Sequence, residues 1–173
     1  MAADFPEQFR DIIDCLESFW LYRSHVAKPG KNRSDISKAV DNFLQNERKG
    51  WAEKNFDTHI VVDGKDTPSP THKIDNFKAG VGVEMEWNNK DPFFDRDLNN
   101  FRLLRNLHIL SVGVIITRMS ELQSVFVDCG KGASAGNSTT HWAKLIPKVD
   151  GGGAGGCPLL LVGMGLNCYR ADL

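Results

Sequence analysis

The run Val81-Gly82-Val83-Glu84-Met85-Glu86-Trp87 alternates without a break. Successive side chains of a strand point to opposite faces, so Val81, Val83, Met85 and Trp87 share one face and Gly82, Glu84 and Glu86 the other. One face is fit for a core, and the other presents two carboxylates side by side. Asp75 stands nine residues before Glu84, with the turn-prone Lys78-Ala79-Gly80 between them. A strand through Asp75 that folds back at that turn brings a third carboxylate to the same place. Three acids on one face repel each other unless positive charge lies among them, and a hard divalent cation prefers such oxygen ligands.

Taken alone, Glu-x-Glu also describes the solvent face of an edge strand. Two features argue for a covered strand. Helical patterns flank it, which favours a central position with both faces packed. Carboxylates there are costly unless a cation or hydrogen bonds compensate. The next residues, Asn88-Asn89-Lys90-Asp91-Pro92, form a polar cluster at the strand's C-terminal end, where ligand sites of α/β sheets lie.

The surrounding chain reads as one α/β domain over residues 1–173, a mixed sheet covered by helices. Phe5, Phe9, Ile12, Ile13, Leu16, Phe19 and Trp20 recur at helical spacing and predict a helix over 5–20. A second helix begins near Asn32 to Ser34, buries Ile36, Val40, Phe43 and Leu44, and stops at Gly50. Thr58 to Val62 reads as a strand and Gly64 to Thr71, with two prolines, as a loop. The acidic hairpin spans about 73–87. A helix over roughly 94–107 and a buried strand through Leu110, Val112, Val114 and Ile116 complete a right-handed crossover between parallel strands. Leu122, Val125 and Phe126 predict a short helix, and Gly130 to Gly136 a loop. Thr139 or Thr140 is expected to cap a brief helix closed by Pro147. The run Gly151 to Gly156 is no element by itself, and it lacks the lysine and serine of a phosphate-binding loop. Leu159 to Val162 reads as the last strand.

Composition bounds the function. Hydrophobic residues make up 41% and charged residues 25%, as in a soluble globular protein. No apolar stretch is long enough to span a bilayer, and the N-terminus lacks a signal-peptide pattern. Cys15, Cys129, Cys157 and Cys168 form no C-x-x-C pair and read as free thiols in a reducing cytoplasm. With a net charge of only −1, a nucleic-acid footprint has to be local. Arg23 to Lys38, containing Lys28, Lys31 and Arg33, is one candidate; a solvated basic loop explains it equally. No histidine is paired at metal spacing, and His72 reads as a solvated loop histidine.

The stretch Ile74-Asp75-Asn76-Phe77-Lys78-Ala79-Gly80-Val81-Gly82-Val83-Glu84-Met85-Glu86-Trp87-Asn88 resembles the active-site hairpin of type II restriction endonucleases of the BglII/BstYI group, within the PD-(D/E)xK nuclease superfamily. Lys49-Gly50-Trp51, Asp95-Arg96-Asp97-Leu98 with Val112-Gly113-Val114, and Cys157-Pro158-Leu159-Leu160-Leu161-Val162 extend the resemblance over most of residues 32–166. It implies a restriction-endonuclease-like mixed β-sheet flanked by α-helices and a Mg²⁺-dependent phosphodiesterase acting on double-stranded DNA. By the family pattern, Asp75 and Glu84 hold the metal with the Met85 backbone carbonyl. Glu86, at the third motif position, acts as general base or further ligand. The superfamily commonly has lysine there, and Lys90 is a candidate for the missing positive charge.

Cutting both strands of a palindrome requires two sites on a two-fold axis, hence a homodimer. Ser134 to Lys144 is the candidate DNA-reading segment, with Asn137 suited to adenine, Ser138, Thr139 and Thr140 to bases or phosphates, and Lys144 to phosphate. His141 follows two threonines in this expected DNA-facing loop, beside Trp142, which also reads as packing. The rival readings are a DNA-repair nuclease of the same fold, a non-catalytic or decayed DNA-binding protein, and a metal-free hydrolase using the glutamate pair as glycosidases do.

Overall fold

The computed structural model describes residues 1–28, 34–46, 48–69, 71–133, 135, 136 and 138–172. In chain order the elements are α1 (Pro6–Ser18), β1 (Leu21–Tyr22), α2 (Arg23–Ala27), α3 (Asp35–Leu44), β2 (Ala52–Lys54), β3 (His59–Val62), β4 (Lys65–Pro68), β5 (Ile74–Lys78) and β6 (Val81–Glu86), then α4 (Pro92–Asn106), β7 (Val112–Arg118), α5 (Gln123–Asp128), α6 (Trp142–Asp150), β8 (Leu159–Met164) and β9 (Tyr169–Arg170). The main sheet has five strands in the order β2-β5-β6-β7-β8. Its first three strands run antiparallel, and β6, β7 and β8 are parallel. β6 and β7 are joined through α4, as the alternation of strand and helix patterns predicts.

β6 is the middle strand and is buried along its whole length. On one face Val81, Val83, Met85 and Trp87 pack with Ile12 of α1 and Ile36, Val40 and Leu44 of α3. On the other, Phe94, Leu98, Phe101 and Leu104 of α4 and Leu145 of α6 pack with Ile74 and Ile115. Two apolar layers on opposite faces of one sheet leave no solvent side for Glu84 and Glu86. Gly113 lets α4 approach this closely, because a Cβ there collides with the Phe101 ring.

Several local expectations need correction. The first helix ends at Ser18, and Trp20 lies beyond it, 39% exposed. The second is capped by Ser34, whose hydroxyl accepts from the Ser37 amide. It ends at Leu44 rather than Gly50, because Gln45 donates to the Asp75 carbonyl and the Asn76 side chain and so fastens to β5. Gly64 to Thr71 is not all loop: β4 pairs with β3 through a two-residue turn at Asp63 and Gly64, φ 50° and 76°. Pro68 is tolerated at the end of this exposed ribbon. Pro147 lies inside α6, which runs to Asp150. It removes a bond to the Ala143 carbonyl, but both residues are exposed and water reaches that carbonyl. Neither Thr139 nor Thr140 caps α6; His141 holds that position in extended backbone. Leu159 opens the last main-sheet strand, but β9 follows it and pairs with β1.

Candidate active site

The hairpin fixes the acids. Asn76 pairs with Val83, Phe77 with Gly82 and Lys78 with Val81. One step further along this register, Asp75 stands opposite Glu84. The turn is Ala79-Gly80 with φ 45° and 85°, both positive, as a tight two-residue hairpin requires. The back of β5 is fastened to helices. Asn76 donates to Asp41 of α3 at 2.8 Å, and the Lys78 ammonium donates to Glu7 at 2.6 Å and Asp11 at 3.0 Å, both on α1. Those bonds hold Asn76 and Lys78 away from the acidic face and leave Asp75 on it.

Glu84 and Glu86 are 1% and 2% exposed, and a fourth acid, Asp97 of α4, is fully buried beside them. Arg96 Nη2 donates to Glu86 Oε1 at 3.2 Å and to Asp97 Oδ1 at 2.8 Å, and its Nε donates to the same Oδ1 at 2.9 Å. Asn89 Nδ2 donates to Glu86 Oε2 at 2.7 Å. Buried atoms Glu84 Oε1 and Asp97 Oδ2 have no hydrogen-bond partner among the described residues.

Burial, then the charges of Asp97, Asp75 and Glu86, push the Glu84 carboxyl well above the usual range. Burial and Asp97 push Glu86 up to about 9. Burial also raises Asp97, although a hydrogen bond from Glu86 and the charge of Arg96 oppose it. His72 is lowered by burial and by Arg96.

A cleft of about 1200 Å³ opens over this cluster, with Asp75, Glu86 and Arg96 in its floor and Lys28, Lys38 and Lys131 among its walls. The basic stretch read from the sequence thus borders the acids, although Lys31 and Arg33 lie outside the described residues. Lys90 is exposed, with its backbone in an isolated bridge to Thr139, and the cation bonded to the acids is Arg96. The side chain of Met85 packs in the α1 and α3 core, on the face opposite Glu84 and Glu86.

Among the described residues no group of three or more His, Cys, Asp and Glu side chains is arranged to hold a metal ion. The donor set nonetheless fits a hard cation. It offers carboxylate oxygens alone, with Glu84 Oε1 buried and unbonded, and Arg96 offsets their repulsion by pairing with Glu86 and Asp97.

The predicted DNA-reading segment adjoins this floor. The Thr140 hydroxyl accepts from the Asn89 amide at 3.0 Å, and the Thr139 hydroxyl accepts from Arg118 at 3.2 Å. Both threonines are buried, so their hydroxyls hold the loop rather than face outward. Ser138 is exposed, and Lys144 lies 3.9 Å from Asp91. Asn137 and Ser134 lie outside the described residues.

Asp97 and Arg96 are site residues that the hairpin pattern alone does not reveal. A signal for them was present, since Asp97 falls on the apolar stripe Phe94, Leu98, Phe101 and Leu104 of α4, where a carboxylate needs a reason.

A five-stranded mixed sheet between helical layers, with an acid-bearing antiparallel hairpin leading into a parallel crossover, is the restriction-endonuclease fold. A family model described as restriction endonuclease BglII/BglIII matches residues 1–164. The chain belongs to that family, whose members are site-specific deoxyribonucleases acting on double-stranded DNA. No curated protein matches the chain. No helix among the described residues is long and apolar enough to cross a membrane.

Proposed function

We propose that this chain is a single nuclease domain that cuts both strands of a palindromic DNA site in the cytoplasm, as a Mg²⁺-dependent homodimer. The observation that carries this reading is the buried, unbonded Glu84 Oε1 beside Asp75 and Glu86, two acids that line an open cleft. Asp75 and Glu84 would hold the ion, with the Met85 backbone carbonyl. Bound there, Mg²⁺ would lower the pKa of a water and stabilise the charge of the pentavalent transition state.

Glu86 takes a proton from the attacking water or serves as a further ligand. Asn89 keeps one of its oxygens oriented, and the residue lines the cleft where the water would lie. Asn137, Ser138 and Lys144 contact DNA, while Thr139 and Thr140 hold that loop against the β6 end. The buried acids also favour this reading over a glycosidase, whose two carboxyls act from opposite sides of a sugar.

The test is plasmid DNA incubated with the purified protein in Mg²⁺, in Ca²⁺ and in EDTA, with the ends sequenced and the mass in solution measured. Unique palindromic ends in Mg²⁺ alone, from a dimer, are the expected result. Random nicking supports a repair nuclease, and binding without cutting supports a decayed copy.

A further inference from the structure

We propose that Arg96 is a further catalytic residue, one that presents its guanidinium to the scissile phosphate, and that Asp97 is the residue that positions it. This rests on the nuclease reading above. Arg96 projects from the second turn of α4 and lines the cleft beside His72, Asp75 and Glu86. Its side chain is 33% exposed, whereas its anchor Asp97 is 0% exposed. Two of its nitrogens, Nε and Nη2, reach one oxygen of that anchor. The Phe93 ring lies 4.3 Å from the guanidinium carbon. Anchor and ring together fix the plane of the group. Nη1 has no hydrogen-bond partner among the described residues, so a donor remains for a ligand.

The chemistry of the floor calls for that donor. Hydrolysis brings a water oxygen onto phosphorus and breaks its bond to the leaving deoxyribose oxygen, which takes up a proton from solvent. Negative charge builds on the non-bridging oxygens throughout. A phosphate lying over Asp75 and Glu86 is also within a cluster of carboxylates, which repel it. Arg96 is bonded to two of these carboxylates, Glu86 and Asp97. A fork held at Asp97 and open at Nη1 donates to a phosphate oxygen without giving up a proton. The bond to Glu86 is the weaker one, at 3.2 Å, and its release to phosphate frees Glu86 for the attacking water.

Three measurements test this: single-turnover cleavage of a duplex bearing the site mapped with wild-type enzyme, duplex binding in Ca²⁺, and Tb³⁺ luminescence sensitised by Trp87. Arg96→Met should cleave about 100-fold to 1000-fold more slowly at saturating Mg²⁺, the scale of losing one charge-stabilising donor. Its Ca²⁺-supported duplex binding should stay within about threefold, and Tb³⁺ should bind as tightly or more tightly, because a competing cation is gone. Arg96→Lys should recover about tenfold of the loss, since it restores charge without the fork.

Asp97→Asn should slow cleavage with KM unchanged, and the double variant should be no slower than Arg96→Met alone, as expected of residues acting as a unit. Arg96→Met cutting within about threefold of wild type overturns the proposal, as does full recovery at high Mg²⁺ or strict additivity with Asp97→Asn. Wild-type enzyme that cuts no DNA in Mg²⁺ or Mn²⁺ removes the nuclease reading itself, and so is told apart from failure of Arg96.

Discussion

Arg118 Nε donates a 2.7 Å hydrogen bond to the side-chain oxygen of Asn88, joining the end of β7 to the chain leaving β6. Arg118 is 1% exposed, and its other bonds go to Gln123, the Ala135 carbonyl and Thr139, all uncharged acceptors. Burial pulls this guanidinium down to about 10. One side chain thus gathers the strand end, α5 and the loop before α6.

Replacing Arg118 by Met strips those acceptors of their donor. The expected loss is on the order of 3 kcal/mol, since each buried acceptor left unpaired costs about 1–3 kcal/mol. In a chain of this length that lowers Tm by roughly 6–12 °C. Thermal denaturation checks it, and a Tm within about 2 °C of wild type would show that the hub contributes little.

Asp75→Asn and Glu84→Gln should each abolish cleavage and keep the fold. Both substitutions preserve shape and open no cavity. Glu84→Gln should also stabilise the cation-free protein, because it removes a carboxyl that burial and three acidic neighbours make hard to ionise. Near-wild-type cutting by either variant in saturating Mg²⁺ contradicts the assignment of these two residues.

Glu86→Ala should reduce the single-turnover rate at least about 100-fold, the lower end of general acid–base catalysis. Unchanged kinetics would remove Glu86 from the reaction and assign proton abstraction to a substrate phosphate or Lys90.

Stability without divalent cations should fall as pH rises. Glu84 and Glu86 hold their protons more tightly when folded, where Glu86 titrates at about 9 against an ordinary value of 4.5. The folded state then binds more protons than the unfolded one. The contribution is complete below the unfolded pKa and is lost as pH climbs through the folded one, with a slope of up to about 1.4 kcal/mol per pH unit for each group. Melting in EDTA across this range measures it. A flat profile, or the same slope in Glu84→Gln with Glu86→Gln, assigns the effect elsewhere.

Lys144→Ala should weaken binding to specific and random duplexes alike in Ca²⁺. The salt slope should drop by about 0.9 for each phosphate that the lysine neutralises. Equal affinities and slopes for variant and wild type would confine Lys144 to its pairing with Asp91.

The hairpin, α4 and β7 were legible because their signals are local. Strict alternation, a two-residue turn and a helical stripe each need only neighbouring residues. The acids of the hairpin were legible for the same reason. Asp97 showed only as a carboxylate on the apolar stripe of α4, and the approach of Arg96 and Asp97 to Glu86 was not legible, since it depends on α4 lying against the sheet, which small Gly113 permits. β2 has three exposed residues and no pattern to read. β4 was hidden by Pro68 at its end and Pro70 beyond it in the sequence, although Asp63-Gly64 is a strong hairpin signal. Thr139 and Thr140 looked like caps because local chemistry favours that role. Their hydroxyls instead answer Arg118 and Asn89, which are distant in sequence.

The turn at Ala79 and Gly80 also acts as a ruler. With two residues in the loop, the positions facing each other across β5 and β6 have fixed sums, and Asp75 meets Glu84. A residue inserted within β5 after Asp75, with the two-residue turn kept, would slide that end of the strand by one place and turn Asp75 toward α3. Insertions in the Asp63-Gly64 turn carry no such penalty, because the β3 and β4 ribbon is exposed on both strands. A change of length within the strands is therefore of little consequence in one hairpin and costly in the other, and the difference marks which of them sets the spacing of the buried acids.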